Sequence, residues 1–193
     1  MIVGDPTIFA IESRISDAYE EPDLSALGYF LLHVGGVRYG VNNPKASMLA
    51  CSLDEVTRRL EYRGKHVMPF LNESPARAVA RAVYDVIYGG QPRDNYFGTS
   101  ASNFAAAIHQ SKVVWAPDGD EAFDDGSFVL QFDVNRRVRL IAFKITENGD
   151  DMPDALQEAW ITNDQFYDIL RAWRNAFVGE WRGVPKRSPR GQL

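Results

Sequence analysis

The 193-residue sequence has a single cysteine, Cys51, and no long hydrophobic run. One cysteine excludes an intrachain disulfide and the usual zinc-ligand patterns. No apolar stretch approaches the roughly 18 residues that span a bilayer. The N-terminus also lacks the basic segment followed by an apolar one that is typical of a secretory signal. We therefore expect a soluble, cytoplasmic protein without a membrane partner.

The sequence also lacks the motifs of the common catalytic sites. It has no P-loop, no nucleophile elbow and no G-x-G-x-x-G fingerprint. His33, His66 and His109 are too far apart in the chain to form a metal-ligand pair, and a lone histidine is usually structural. Cys51 ends the apolar segment 48–51, which predicts a buried and inert thiol. We expect no enzymatic activity, no cofactor and no bound metal.

Basic residues are scarcer than acidic ones, and they are unevenly placed. The chain has 21 Lys and Arg against 26 Asp and Glu, a net charge of −5. Residues 184–193 contain three basic side chains and no acid, so residues 1–183 carry −8. An acidic body disfavours nucleic acid as a direct partner and favours a basic protein. We expect one domain over 1–183, followed by a flexible basic tail over 184–193.

The clearest structural pattern lies between Val113 and Thr146. Apolar residues alternate with polar ones over 128–134, which predicts a strand with one buried face. Asn135-Arg136 then forms a plausible tight turn, because Asn tolerates a positive φ. A second apolar run covers 138–145, so the segment is predicted to form a β-hairpin at the centre of a sheet.

Weaker patterns complete the predicted α+β fold, a single domain whose mainly antiparallel sheet is built from hairpins with helices packed on it. Gly35-Gly36 predicts a second hairpin, and residues 8–15 suit a strand, with an amphipathic helix as the competing interpretation. Ser52 and Glu55 have the spacing of a capping box. The remaining predictions are a strand at 48–51, a helix from Ser52 to Arg63, helices starting near Ser74-Pro75, Asn103 and Asn163, and a strand at 156–162.

A dense acidic loop at 118–126 precedes the central hairpin. Burying unpaired carboxylates costs several kcal/mol each, so we expect them to face water or a cationic partner. Phe123, an aromatic residue inside this loop, either anchors it to the core or meets a partner. The loop carboxylates are Asp118, Asp120, Glu121, Asp124 and Asp125, and a smaller acidic group contains Glu20, Glu21 and Asp23.

Two other interpretations of these residues remain open. The acidic loop fails as an EF-hand starting at Asp118, because Ala122, Phe123 and Val129 occupy ligand or turn positions. An irregular metal site, or a pair of carboxylates in a hydrolase, is still compatible with the loop. Trp115, Trp160 and Tyr167 could belong to a ligand-binding module, but aromatic residues in such patterns are more often part of a core.

Several segments resemble the Immunity protein 42 family. They are Met1–Pro6 with Phe9–Ile11, the run 119–134, the run 138–143, Phe166-Tyr167, Trp173 and Glu180-Trp181. This resemblance implies a non-enzymatic cytoplasmic immunity protein, which protects a bacterium from a toxin domain delivered by neighbouring kin cells in contact-dependent inhibition or a related system. Many such toxins are nucleases with basic clefts. The family supplies no catalytic residue to carry over.

Together, the resemblance and the charge predict the toxin-binding residues. An acidic surface would steer the chain to a basic toxin C-terminal domain. The predicted contacts are Asp118, Asp120, Glu121, Phe123, Asp124 and Asp125, with Glu20, Glu21 and Asp23 as a second group.

Overall fold

In a computed structural model, residues 1–20, 26–89, 93–117, 119–145 and 156–187 are described. The strands are β1 (Ile2–Asp5), β2 (Phe9–Tyr19), β3 (Ala26–Val34), β4 (Val37–Tyr39), β5 (Ser47–Met48), β6 (Asn95–Tyr96), β7 (Thr99–Ser100), β8 (Val114–Ala116), β9 (Ser127–Val134), β10 (Arg137–Lys144), β11 (Gln157–Thr162) and β12 (Lys186–Arg187). The α-helices are α1 (Leu49–Glu61), α2 (Ala76–Ile87), α3 (Ala101–Ser111) and α4 (Asn163–Gly183). The predicted α+β class with antiparallel hairpins is confirmed.

Two larger sheets take the place of the single predicted one. The first has the order β1-β2-β3-β4, with β5 paired to β3 and β12 to β2. Gly35 and Gly36, at φ values of 58° and 84°, connect β3 to β4, as predicted for this hairpin. The segment 8–15 is a strand, which settles the choice between strand and helix, and β2 extends it to Tyr19.

The second sheet has the order β11-β10-β9-β8, and the predicted central hairpin is confirmed as β9 and β10. Asn135 has a φ of 55°, which is the left-handed conformation expected at this turn. The prediction of one buried face is wrong, because every residue of β9 is buried. One face of β9 and β10 packs between the two sheets, and the other face is covered by α2 and α3.

Each face of this hairpin belongs to a separate apolar core. The first core lies between the two sheets and includes residues of α1 and α4. Phe166, Trp173 and Phe177 of α4 are fully buried in it. The second core contains Phe128 and Phe143, stacked at 5.0 Å, under α2 and α3. Trp115 and Tyr167 are buried in the first core and Trp160 packs against the second, as expected for structural aromatics.

The start of α1 differs from the prediction. The expected strand at 48–51 ends at Met48, because Ser47 and Met48 pair with β3 and the helix begins at Leu49. Ser52 therefore lies inside the helix, and the predicted capping box does not form. Cys51 is exposed on this first turn and not buried, since Leu49 and Leu53 are the residues that face the core.

The other helices start within two residues of the predicted positions. Pro75 caps α2, and the Ser100 side chain accepts a hydrogen bond from the N–H of Asn103 at the start of α3. In α4 the capping residue is Thr162 and not Asn163, because the Thr162 hydroxyl accepts from the N–H of Gln165. The apolar face predicted for α4 packs into the first core.

The first residues of the predicted tail lie against the first sheet. Lys186 and Arg187 form β12, which pairs in parallel with Ala18 and Tyr19 of β2. The Arg187 guanidinium forms a 2.8 Å ion pair with Asp17. Residues 146–155 and 188–193 lie outside the described residues, so the flexible tail and the domain limits stay predictions. No helix in the described ranges is long and apolar enough to span a membrane.

Candidate functional site

Two buried side chains anchor the predicted acidic loop to the first core. Ala122 and Phe123 lie in a short 3-10 helix, Glu121–Phe123, and the Phe123 ring meets Phe30 edge-on at 6.1 Å. The carbonyl of Ala122 accepts a 2.7 Å hydrogen bond from the N–H of Val41. The sequence leaves two roles open for Phe123. In the structure Phe123 anchors the loop to the core, because its side chain is only 2% exposed.

Asp120 connects this loop to the start of α1. Its carboxylate accepts hydrogen bonds from the hydroxyls of Ser52 at 2.7 Å and Ser47 at 3.0 Å. It also accepts from the N–H of Ala122 at 2.9 Å, which caps the 3-10 helix. The predicted contact residue Asp120 therefore directs its oxygens into the protein and positions its neighbours.

Asp125 is also held from within. Its carboxylate forms an ion pair with Lys144 at the end of β10 and accepts from the N–H of Ser127 at 3.1 Å. Two of the four described loop acids thus have partners in the chain, which leaves Glu121 and Asp124 exposed.

An acid that the sequence analysis missed joins these two at the surface. Asp54, on the exposed side of α1, lines one cavity together with Gly119 and Asp120 of the loop. Partial desolvation raises the pKa of the thiol of the exposed Cys51, and the charges of Asp120, Asp54 and Glu121 raise it further. These carboxylates therefore cluster around Cys51. We call the exposed residues Asp54, Glu121 and Asp124 the acidic patch.

Of the second predicted acidic group, Glu20 alone lies in the described part of the chain. Glu20 is exposed at the end of β2, where its N–H donates to the carbonyl of Arg187 in β12. Glu21, Asp23 and Asp118 lie outside the described residues. The structure therefore places Glu20 beside two basic residues of the tail.

The hydrolase alternative requires two loop acids in one cavity. A cavity of about 280 Å³ lies beside the loop, but Asp120 is the only described loop acid that lines it. Asp54 and Glu55 of α1 contribute the other carboxylates, and Glu55 forms ion pairs with Arg58 and Arg59. Within the described ranges, no cluster of three or more His, Cys, Asp or Glu is arranged to hold a metal. The geometry therefore gives this alternative no support.

A second cavity, of about 300 Å³, lies between α1, the C-terminal ends of α2 and α3, and β8. We call it the basic cavity, because three of its charged side chains are cationic and one is anionic on a protein of net charge −5. The ion pair between Glu55 and Arg58, 2.9 Å long, separates it from the cavity beside the acidic loop. The polar lining includes Glu55, Arg58, Arg59, His66, His109 and Lys112.

Arg59 forms the fixed inner wall of the basic cavity. Its guanidinium donates to the side-chain carbonyl of Gln131 at 2.9 Å and to the backbone carbonyl of Val114 at 2.7 Å. It pairs with Glu55 and lies 4.7 Å over the Trp115 ring. Arg59 is only 1% exposed, so its guanidinium is buried together with these partners.

His66 lines the same cavity and is 1% exposed. Its Nδ1 lies 3.1 and 3.0 Å from the backbone carbonyls of Ser111 and Lys112. Carbonyl oxygens only accept, so Nδ1 carries the proton and donates. Burial and the neighbouring Arg59 charge lower the pKa of His66 to about 4, against the opposing charge of Asp133. The neutral ring thus has a bare lone pair on Nε2, which has no hydrogen-bond partner among the described residues.

A buried polar network continues from His66 to α4. The N–H of His66 donates to Asp133 at 3.3 Å, and the Tyr167 hydroxyl donates to both oxygens of Asp133, at 2.9 and 3.0 Å. Gln131 donates to Tyr167 at 3.0 Å. Burial and the Asp133 charge raise the pKa of Tyr167. The alternating pattern of β9 had assigned Gln131 and Asp133 to solvent, so no sequence signal pointed to this network.

The chain is similar to one protein family in sequence and to one solved structure in fold. The family model described as Immunity protein 42 matches residues 1–176. The crystal structure of CdiI from Burkholderia dolosa AUO158 is similar, with a TM-score of 0.59 and 17% sequence identity, covering 91% of this chain and 99% of that one. At this identity the likeness concerns the fold alone. Among curated proteins, none matches the sequence.

Proposed function

Because the family model covers residues 1–176, the chain belongs to the Immunity protein 42 family, and we propose that it binds and neutralises one cognate bacterial toxin domain in the cytoplasm. Family membership is the observation that carries this proposal. The fold shared with CdiI agrees with a place in a contact-dependent inhibition system. The chain acts by occupying the toxin, without a chemical step of its own.

The acidic patch is the surface that we assign to the toxin. Glu121 and Asp124 are exposed and Asp54 lies on the adjoining helix, so the three carboxylates are available to one partner. Asp120 and Phe123 hold the loop in place behind them. An ordered acidic surface suits a basic toxin, such as a nuclease with a cationic cleft, because charge complementarity speeds association and fixes orientation.

The test is a charge reversal at the patch, Glu121→Lys with Asp124→Lys. We expect the double variant to bind the toxin domain about 2–5 kcal/mol more weakly where the charge pairs are buried at the interface. The toxin domain to test is the one that we expect the reading frame immediately upstream to encode. Binding is measured by calorimetry, and protection by growth of cells that express the toxin.

The matched control is Glu73→Lys with Asp94→Lys. Both residues are exposed and lie away from the patch, next to α2 and β6, and the change in net charge is the same. We expect this variant to bind and protect as the parent does. Equal weakening in both variants would show that only net charge matters, and unchanged binding in both would remove the patch from the interface. Cells that remain sensitive with the parent chain would contradict the immunity role itself.

A further inference from the structure

The basic cavity has the features of a small-molecule site, and we propose that it binds a phosphate monoester. In this arrangement the phosphate lies between Lys112, Arg58 and the Nε2 atom of His66. The organic part of the ligand lies along the apolar wall formed by Ile87, Tyr88 and Ile108. The site is distinct from the acidic patch, and its occupancy can be measured without the toxin.

The first argument is the unpaired imidazole nitrogen. A buried acceptor without a partner costs about 1–3 kcal/mol, so proteins rarely retain one without a reason. The hydrogen bonds at Nδ1 fix both the tautomer and the orientation of the His66 ring. A ligand in this cavity must therefore offer a hydrogen-bond donor to Nε2.

The second argument is the charge around that nitrogen. Lys112 and Arg58 line the cavity with exposed or half-exposed cationic ends, and Glu55 is its only acid among the described residues. A positively charged cavity on an acidic protein selects an anion. The ligand must then carry a negative charge and a donor on neighbouring atoms.

A phosphate monoester meets both requirements, and the other common oxyanions do not. Its second pKa is about 6, so near that pH it carries one ionised and one protonated oxygen. The O–H donates to Nε2 while the ionised oxygens accept from Lys112 and Arg58. A carboxylate or a sulfate monoester is fully deprotonated there and leaves Nε2 unpaired. The cavity, at about 300 Å³, exceeds the size of a bare phosphate and has room for an organic group.

This arrangement makes binding depend on pH. The protonated phosphate is lost as pH rises above about 6, so its hydrogen bond to Nε2 is lost toward pH 8, while the dianion keeps its attraction to Lys112 and Arg58. His66 stays neutral through this range, because its pKa is about 4. The titratable and charged side chains around the imidazole and its cavity are Glu55, Arg58 and Arg59 from α1, Tyr62 at its C-cap, Tyr88 after α2, His109 and Lys112 from the end of α3, Asp133 from β9, and Tyr167 of α4 through Asp133.

The test compares phenyl phosphate with phenyl sulfate, which share one organic group, by calorimetry on the full chain. At pH 6 we expect phenyl phosphate to bind about tenfold more tightly, which is the value of one hydrogen bond to a buried acceptor. At pH 8 the hydrogen bond is lost, and only the preference due to the extra charge of the phosphate dianion should remain. In nitrogen-detected NMR, the Nε2 resonance of His66 should shift with the phosphate and remain unchanged with the sulfate.

Lys112→Gln and its control Lys65→Gln distinguish binding in the cavity from non-specific attraction of the anion to a positively charged surface. Both lysines lie over the Tyr62 ring, but only Lys112 lines the cavity. Lys112→Gln retains the backbone carbonyl that accepts from His66, so the fold should persist, while phenyl phosphate binding falls about tenfold. Equal affinity for the two anions at pH 6, no binding of either, or equal effects of both variants would overturn the proposal.

Discussion

Gln131 and Asp133 illustrate how side chains that look solvent-facing in the sequence become interior, and His66 is buried with them. Their partners come from α1, α4 and the C-terminal end of α3, which are remote in the sequence. A buried acceptor or donor without a partner is costly, so these contacts decide which polar residues the core tolerates. Only the assembled structure shows which residues are paired.

The His66 side chain should make stability depend on pH. Its pKa is about 4 in the folded protein and about 6.5 when exposed. Between these values the unfolded chain binds a proton that the folded chain does not, so stability falls as pH drops from 6.5 to 4. The loss attributable to His66 is on the order of 3 kcal/mol.

Urea unfolding at pH 4.5, 5.5 and 7 measures this effect. His66→Asn should flatten the pH dependence relative to the parent, although its stability at pH 7 is lower. His109→Asn is the control, because His109 is exposed on α3 and the change of residue type is the same. Parallel curves for all three proteins would mean that His66 titrates normally in the fold.

At the level of elements, the hairpins could be predicted because their signals are local. Gly35, Gly36 and Asn135 supply positive φ values at the turns, and the apolar runs flank them. The start of α1 could not be predicted in this way, since β5 pairing and the contact from Ser52 to Asp120 decide it. The basic cavity draws on α1, α2, α3 and β8, so no single segment contains its pattern.

The contact between the acidic loop and α1 leads to a prediction about Asp120. Asp120→Asn should lower the free energy of unfolding by about 1–3 kcal/mol, because an amide cannot accept from both serine hydroxyls and the N–H of Ala122. Asp124→Asn removes the same charge from an exposed position and should change stability by no more than about 0.5 kcal/mol. Urea unfolding compares the two, and equal stabilities would mean that Asp120 does not position the loop.

For the whole molecule, the net charge of −5 conceals a division between the acidic patch and the basic cavity. Glu55 and Arg58 line both the basic cavity and the cavity beside the acidic loop. The sequence predicted the acidic character of the protein and the loop in which acidic residues are densest. It did not predict the cationic region, because the basic residues are spread over α1 and α3.

The acidic surface should make association with a basic toxin sensitive to salt. Raising sodium chloride from about 0.05 to 0.5 M shortens the screening length to a few ångströms and should lower the association rate constant about tenfold or more. The dissociation rate constant should change less, because it reflects short-range contacts. Stopped-flow mixing at several salt concentrations measures both constants, and an association rate independent of salt would exclude electrostatic steering.

The hairpin of β9 and β10 lies between two cores and presents a face to each. Unfolding of either core would expose one face of these two eight-residue strands to solvent. A substitution that destabilises the core under α2 and α3 should therefore also destabilise the acidic loop. The reason is that β9 begins at Ser127, directly after this loop. The molecule should unfold cooperatively, as one unit, and its two binding surfaces should be lost together.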